Sequence, residues 1–391
     1  MRIHEASRVK LEFFASLILI ALLILSSGCG VKPGAKGPIK IGVVLSMTGN
    51  YSQLGLQEMH SIRLFEEKLN KHGGIKGRKV QFIIEDDESD PAKASEAVSK
   101  LIKDYNVIAI IGGSSTSSTL SMKPIVEKKE IPLISLAAGT KITKPLNKWI
   151  FRVAPTNAMA IQKIFDYIKN VLKARRIAIL HDRNAFGTLG SNETKSYAQK
   201  EGIQIVSVED YGSADTDMKT QLERIERTSA QAILVWGTDP GPAIIARNIQ
   251  ELGIRIPHLE SHGIASKEFI ELAGSASNGV VFPAGRLLLP ETITDPMWKD
   301  AIEKFRSEYK KKYKTEISTF AAHGYDAALI VTEALRRNSS SREALRDEIE
   351  KTKGLVGIDG VFNYTSKNHD GLSPDYLIMI KIVNGMWTPA E

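Results

Sequence analysis

Short apolar runs alternate with amphipathic stretches along most of the chain. Residues 39–45 (IKIGVVL) are almost continuously apolar, which predicts a strand buried on both faces. Further strands are expected over 79–86, 107–111 and 131–135, with helices up to about residue 70, over 90–104 and over 116–128. The second helix opens on Asp90-Pro91, a side-chain cap followed by a proline at the first helical position. The pattern then restarts. Strands over 149–153, 176–180, 203–208 and 232–235 alternate with helices over 156–172, 190–200, 217–228 and 242–252. Helices over 296–313, 319–336 and 341–351 follow, and a last strand over 376–383. Repeated strand–helix–strand units predict parallel sheets with helices on both faces. Two such sets predict an α/β protein of two doubly wound lobes. Ligands of open α/β sheets sit outside the carboxyl ends of the strands, so the loops after the first, third and fourth strands are the places to search.

The amino terminus breaks this pattern. Arg2, Arg8 and Lys10 precede residues 13–25, which are apolar except for Ser16. Thirteen residues make about 20 Å of helix, short of the roughly 30 Å hydrocarbon core of a bilayer. Residues 1–28 therefore read as a cleaved export signal. The run ends at Ser26-Ser27-Gly28-Cys29, and small residues before a cysteine resemble a bacterial lipobox, with Ser26 where leucine is usual. Cys29 is the expected lipidation site and residues 29–38 a flexible lipidated tether. Cys29 is also the only cysteine, so an intramolecular disulfide is excluded, and with Cys29 lipidated the mature body has no cysteine zinc site or cysteine nucleophile.

Charge changes the picture little. The formal net charge of +7 is spread out, with only Lys310–314 (KKKYK) concentrated, so a nucleic-acid partner is not expected. No G-x-S-x-G elbow or H-E-x-x-H motif occurs. His258 and His262 are four apart, but Pro257 and Gly263 argue against the helix that would pair them on a metal. An enzyme, a metal and a cofactor are accordingly not expected. The informative segment is residues 112–119 (GGSSTSST). Its glycines allow close backbone approach, its hydroxyls donate, and the helix amino terminus that follows favours an anion. That chemistry suits a carboxylate. Residues 135–140 (SLAAGT) offer carbonyls and the Thr140 hydroxyl by the same logic.

The segments IKIGVVLSMTGNYSQLG, NKHGGIKGRKV, FIIEDDESDP, IGGSSTSST and PLISLAA, followed by RIAILHDRNAFG, ARNIQELGI, HGYDAALI and GVFNYTSKNHDGL, carry a resemblance across essentially the whole mature chain. Together they resemble the leucine/isoleucine/valine-type (branched-chain amino acid) substrate-binding proteins of ABC transporters. The resemblance implies a type I periplasmic-binding-protein fold, two lobes joined by three crossovers. The lobes would be 39–156 plus 287–372 and 157–286 plus 373–391. It implies delivery of the ligand to an ABC permease; a monomer is expected, held by the lipid on Cys29 in the periplasm or at the outer face of the cytoplasmic membrane.

Carried over by position, the resemblance gives Ser115 and Thr116 the ligand carboxylate, the Ala137 carbonyl the ammonium, and Thr140 both groups. Phe186 would pack on the ligand, and Asp239 falls, with Thr238, at a further contact. Leu54 stands where some members have an aromatic, a role Tyr51 could fill. His262 is the departure: it replaces the acid that pairs with the ammonium in amino-acid-binding members. Asp239 or Glu260 could compensate. Branched-chain or similar hydrophobic amino acids are the first expected ligands, with aromatic or aliphatic carboxylates lacking an amine as the alternative. A ligand-sensing receptor lipoprotein is a further alternative.

Overall fold

A computed structural model describes residues 37–338 and 340–390. The expected export signal, Cys29 and the tether up to residue 36 lie outside the described residues. Strand β1 (Ile39–Leu45) pairs in parallel with β2 (Val80–Asp86) and with β3 (Ile110–Gly112). Parallel β4 (Leu133–Ser135) and β5 (Ile150–Arg152) extend the sheet to the order β2-β1-β3-β4-β5. The apolar runs follow from this topology. Ile41, Val43 and Val44 are wholly buried because helices cover both faces of a parallel sheet.

The second sheet is built from β6 (Arg176–Asp182), β7 (Gln204–Tyr211), β8 (Ala232–Trp236), β9 (His258–Glu260) and β10 (Val281–Gly285). After a two-stranded ribbon of β11 (Leu355–Val356) and β12 (Val361–Phe362), the chain returns to this sheet. There β13 (Leu377–Val383) and β14 (Met386–Pro389) add antiparallel to its edge, giving β14-β13-β10-β9-β8-β6-β7. The described residues from Pro38 onward form one unit of two α/β lobes. The chain passes between the sheets three times. It leaves the first after β5, when helix Asn157–Asn170 packs on β10 and β13. It comes back after β10, when helix Thr319–Arg337 packs along helix Ser52–Lys71 and against β3 and β4. It crosses again before β13.

Local chemistry sets the helix starts. Asp90 Oδ1 accepts the Ala92 N–H at 2.7 Å ahead of Pro91, as the sequence predicts. The helix expected over 190–200 begins five residues earlier, as Ala185–Glu201, because Asn184 Oδ1 caps the Gly187 N–H at 2.8 Å. Strands β9, β10 and β14 and helix Lys267–Ala273 were not anticipated. Among the described residues no helix is long and apolar enough to cross a membrane.

Candidate functional site

The carboxyl ends of both sheets face a shared cavity. Every strand of the first sheet except β2 leads into it, as do β6, β8, β9 and β10 of the second. The space open to the centres of water-sized spheres is about 50 Å³. One water needs roughly 10–15 Å³ on that measure, so the cavity suits a small organic molecule.

One end is polar. Gly112, at the close of β3, takes φ +132°, and a Cβ there would lie 2.0 Å from the Val44 carbonyl oxygen, so glycine alone lets the chain turn toward the cavity. Helix Thr116–Lys128 starts immediately afterwards. Ser115 lines the cavity, but its hydroxyl is engaged in capping: Oγ accepts the Ser118 N–H at 3.0 Å and donates to Ser118 Oγ at 3.0 Å. Thr116 Oγ1 is buried and has no hydrogen-bond partner among the described residues. The first N–H groups of a helix have no intrahelical acceptor and carry its partial positive charge. This end therefore offers a hydroxyl and backbone donors to an anion. Behind it, Ser46 N–H donates to Ser114 Oγ at 3.0 Å, and that hydroxyl donates in turn to Glu58. Burial pushes the Glu58 carboxyl up to about 8.

The body of the cavity is apolar. Leu54 and Phe320 pack with Tyr51, and Leu136, Ala137 and Phe186 form other walls. Phe186 meets His262 edge-on at 5.4 Å between centroids and tilts against Trp236 at 5.8 Å. Tyr51 is held from the other sheet: its hydroxyl accepts from Asn184 Nδ2 at 2.8 Å and lies 3.2 Å from Ser213 Oγ. His262 stands in the turn after β9, and His323 on helix Thr319–Arg337. All four ring nitrogens of the pair are buried without a hydrogen-bond partner among the described residues. Burial, with a smaller push from Arg152, lowers His262 to about 4; burial, then His262, lowers His323 to about 3. Both imidazoles are neutral at physiological pH.

The structure thus gathers Tyr51, Ser115, Thr116, Ala137, Phe186 and His262 around one cavity. It leaves two expected residues outside. Thr140 opens a short turn after β4, and its hydroxyl donates to Glu193 Oε2 on helix Ala185–Glu201 at 2.9 Å, so it ties the lobes together without lining the cavity. Asp239 is carried away by the turn into helix Gly241–Leu252; Thr238 lines the cavity in its place. Its carboxylate lies near the Ala243 N–H without completing a hydrogen bond, and burial holds it well above the usual carboxylate range. Asn184, Phe320 and His323 were overlooked. A histidine within the largely apolar run 319–331, which also holds Thr319 and Asp326, was the available signal for His323. Among the described residues no group of three or more His, Cys, Asp or Glu stands close enough to hold a metal.

A family model described as "Periplasmic binding protein" matches residues 38–385. The Leucine-, isoleucine-, valine-, threonine-, and alanine-binding protein of Pseudomonas aeruginosa is 26% identical over 333 residues, covering 83% of this chain and 87% of that one. Among solved structures, an extracellular ligand-binding receptor from Rhodopseudomonas palustris HaA2 superposes with a TM-score of 0.85 at 25% identity, covering 91% of this chain and 100% of that one. A leucine-binding protein, LivK, from Thermotoga maritima gives 0.82 at 26% identity, covering 90% and 98%. With its two crossed-over α/β lobes and a match along nearly its whole described length, this chain belongs to the periplasmic binding protein family.

Proposed function

We propose that this protein is the extracytoplasmic capture component of an ABC importer, held to the membrane by a lipid on Cys29. It encloses a small carboxylate with an apolar body and presents it to a permease, without catalysing a reaction. The observation that carries this reading is the mixed lining of the cavity: Thr116, whose Oγ1 is buried without a hydrogen-bond partner at a helix amino terminus, lines it together with the apolar Leu54, Leu136, Phe186 and Phe320. Relatives described as binding leucine, isoleucine and valine support the size and polarity of such a ligand. Branched-chain amino acids and their amine-free counterparts both fall in this class.

A thermal-shift screen of the purified protein tests the proposal. A ligand that binds only the folded state raises the melting temperature by mass action. Hydrophobic carboxylates should raise it, and the matching amides and alcohols should not. Thr116→Val should weaken carboxylate binding by about 1.5–3 kcal/mol, the range for a hydrogen bond to a charged group. A screen in which no carboxylate shifts the transition, or an unchanged affinity in the variant, contradicts the proposal.

A further inference from the structure

An ammonium enclosed away from water needs an anion or a full set of acceptors, because an unpaired buried charge is strongly disfavoured. Among the described residues no Asp or Glu lines the cavity. At the position where the family resemblance expects an acid stands His262, and His323 joins it from the helix opposite. The two rings are only 8% and 4% exposed, and none of their nitrogens makes a hydrogen bond among the described residues, although His323 Nε2 lies 3.5 Å from Asp359 Oδ2, a buried acid outside the cavity lining. A neutral imidazole offers one N–H donor and one bare nitrogen acceptor, which matches a neutral polar group and supplies no charge.

The surroundings point the same way. Arg152 is wholly buried, and its Nη1 donates to the Ala138 and Gly139 carbonyl oxygens at 2.8 and 2.9 Å, so these two acceptors, next to the Ala137 carbonyl, are engaged by a guanidinium. Asp370 pairs with Arg152, and so is not free to serve a ligand. The acids nearest in sequence, Asp239 and Glu260, are buried outside the cavity lining, and Glu260 Oε1 is bonded to His258 Nε2 at 2.8 Å. Burial raises the pKa of both well above the usual carboxylate range, which disfavours their charged forms.

We infer, resting on the capture reading above, that the ligand carries no ammonium and presents an uncharged hydroxyl or carbonyl group to His262 and His323. The carboxylate lies at Thr116 and the apolar body between Phe186 and Phe320. Of the two ligand classes left open by the sequence, the cavity favours the amine-free one.

Calorimetric titration with matched probes decides this: L-leucine, 2-hydroxy-4-methylpentanoate and 4-methyl-2-oxopentanoate, then phenylalanine with its hydroxy and oxo counterparts. The hydroxy or oxo acids should bind at least about tenfold more tightly than the amino acids, because an ammonium buried here without a counter-ion is strongly disfavoured. An amino acid that binds as tightly as its counterparts overturns the inference and leaves the capture reading standing. Failure of every carboxylate to bind overturns both. His262→Glu should move the preference about tenfold or more toward the amino acid, and equal changes for both probe classes would remove His262 from the ligand. If that variant does not fold, His262→Gln, neutral and still able to hydrogen-bond, should keep the oxo-acid preference; its loss of that preference alone would contradict the assignment to an uncharged group.

Discussion

Glu58 is an acid whose behaviour its place in the sequence conceals. It lies in helix Ser52–Lys71, among residues that read as a polar helix face, yet it is wholly buried. Its Oε2 accepts the Ser114 hydroxyl, and its Oε1 has no partner among the described residues. Burial, opposed by the Ser114 bond and aided by the charge of Asp87, lifts its carboxyl from 4.5 to about 8. Between those values the folded state keeps a proton that the unfolded chain has released. Stability from this group is therefore present below about pH 4.5 and is lost as pH rises toward about 8, at up to about 1.4 kcal/mol per pH unit. Denaturant titrations at pH 5 and pH 8 should show a smaller loss in Glu58→Gln than in the unaltered protein. Parallel losses would mean that Glu58 is already ionised. At this scale the sequence was a partial guide. Thr116 was legible as a cavity residue because a glycine-rich loop opening a helix has a local signature, whereas Phe186 came only from the family resemblance. Asp239 was carried over together with Thr238 at one contact position, and of the two only Thr238 lines the cavity, because the chain turns there into helix Gly241–Leu252.

Elements hold these residues through close contacts that a sequence does not announce. On helix Ala185–Glu201, a Cβ added to Gly190 would stand 1.9 Å from Trp236 Nε1 and 2.0 Å from its Cε2. The helix therefore lies directly on the indole at the end of β8, and the indole in turn supports Phe186 and, at 6.0 Å between centroids, His262. Gly190→Ala forces Trp236 to shift and should cost about 1–3 kcal/mol, the usual penalty for overpacking. Ligand affinity should fall with it, because both cavity walls move. A melting temperature and an affinity that both match the unaltered protein would show that the indole is not a fixed support. Long apolar runs such as β1 were readable as elements. The three-residue β9, set between Pro257 and Ser261, was not, because its strand pairing is supplied by β8 and β10 and not by its own pattern.

At the scale of the whole molecule, the two sheets are joined across the cavity by named bonds. Gln53 Nε2 donates to the Asp239 carbonyl at 2.9 Å, Gln57 Nε2 to Glu268 at 2.6 Å, and Asn184 Nδ2 to the Tyr51 hydroxyl at 2.8 Å. A ligand stabilises this arrangement of the lobes only if it binds it better than one in which they part, and under the proposed capture reading contacts to both lobes at once would supply that difference. Alternating strands and helices made the two-lobed α/β architecture legible, since that periodicity is local. The bonds between lobes are not, because they join residues as far apart as Gln57 and Glu268.

The central claim is that a small carboxylate sits between the lobes at Thr116. The most direct test is a crystal structure of the protein grown with 4-methyl-2-oxopentanoate. The account predicts the carboxylate within hydrogen-bond distance of Thr116 Oγ1, its oxo group near His262 or His323, and its aliphatic end against Phe186 and Phe320. Ligand bound anywhere else on the molecule, or seated with its carboxylate away from Thr116, would contradict it.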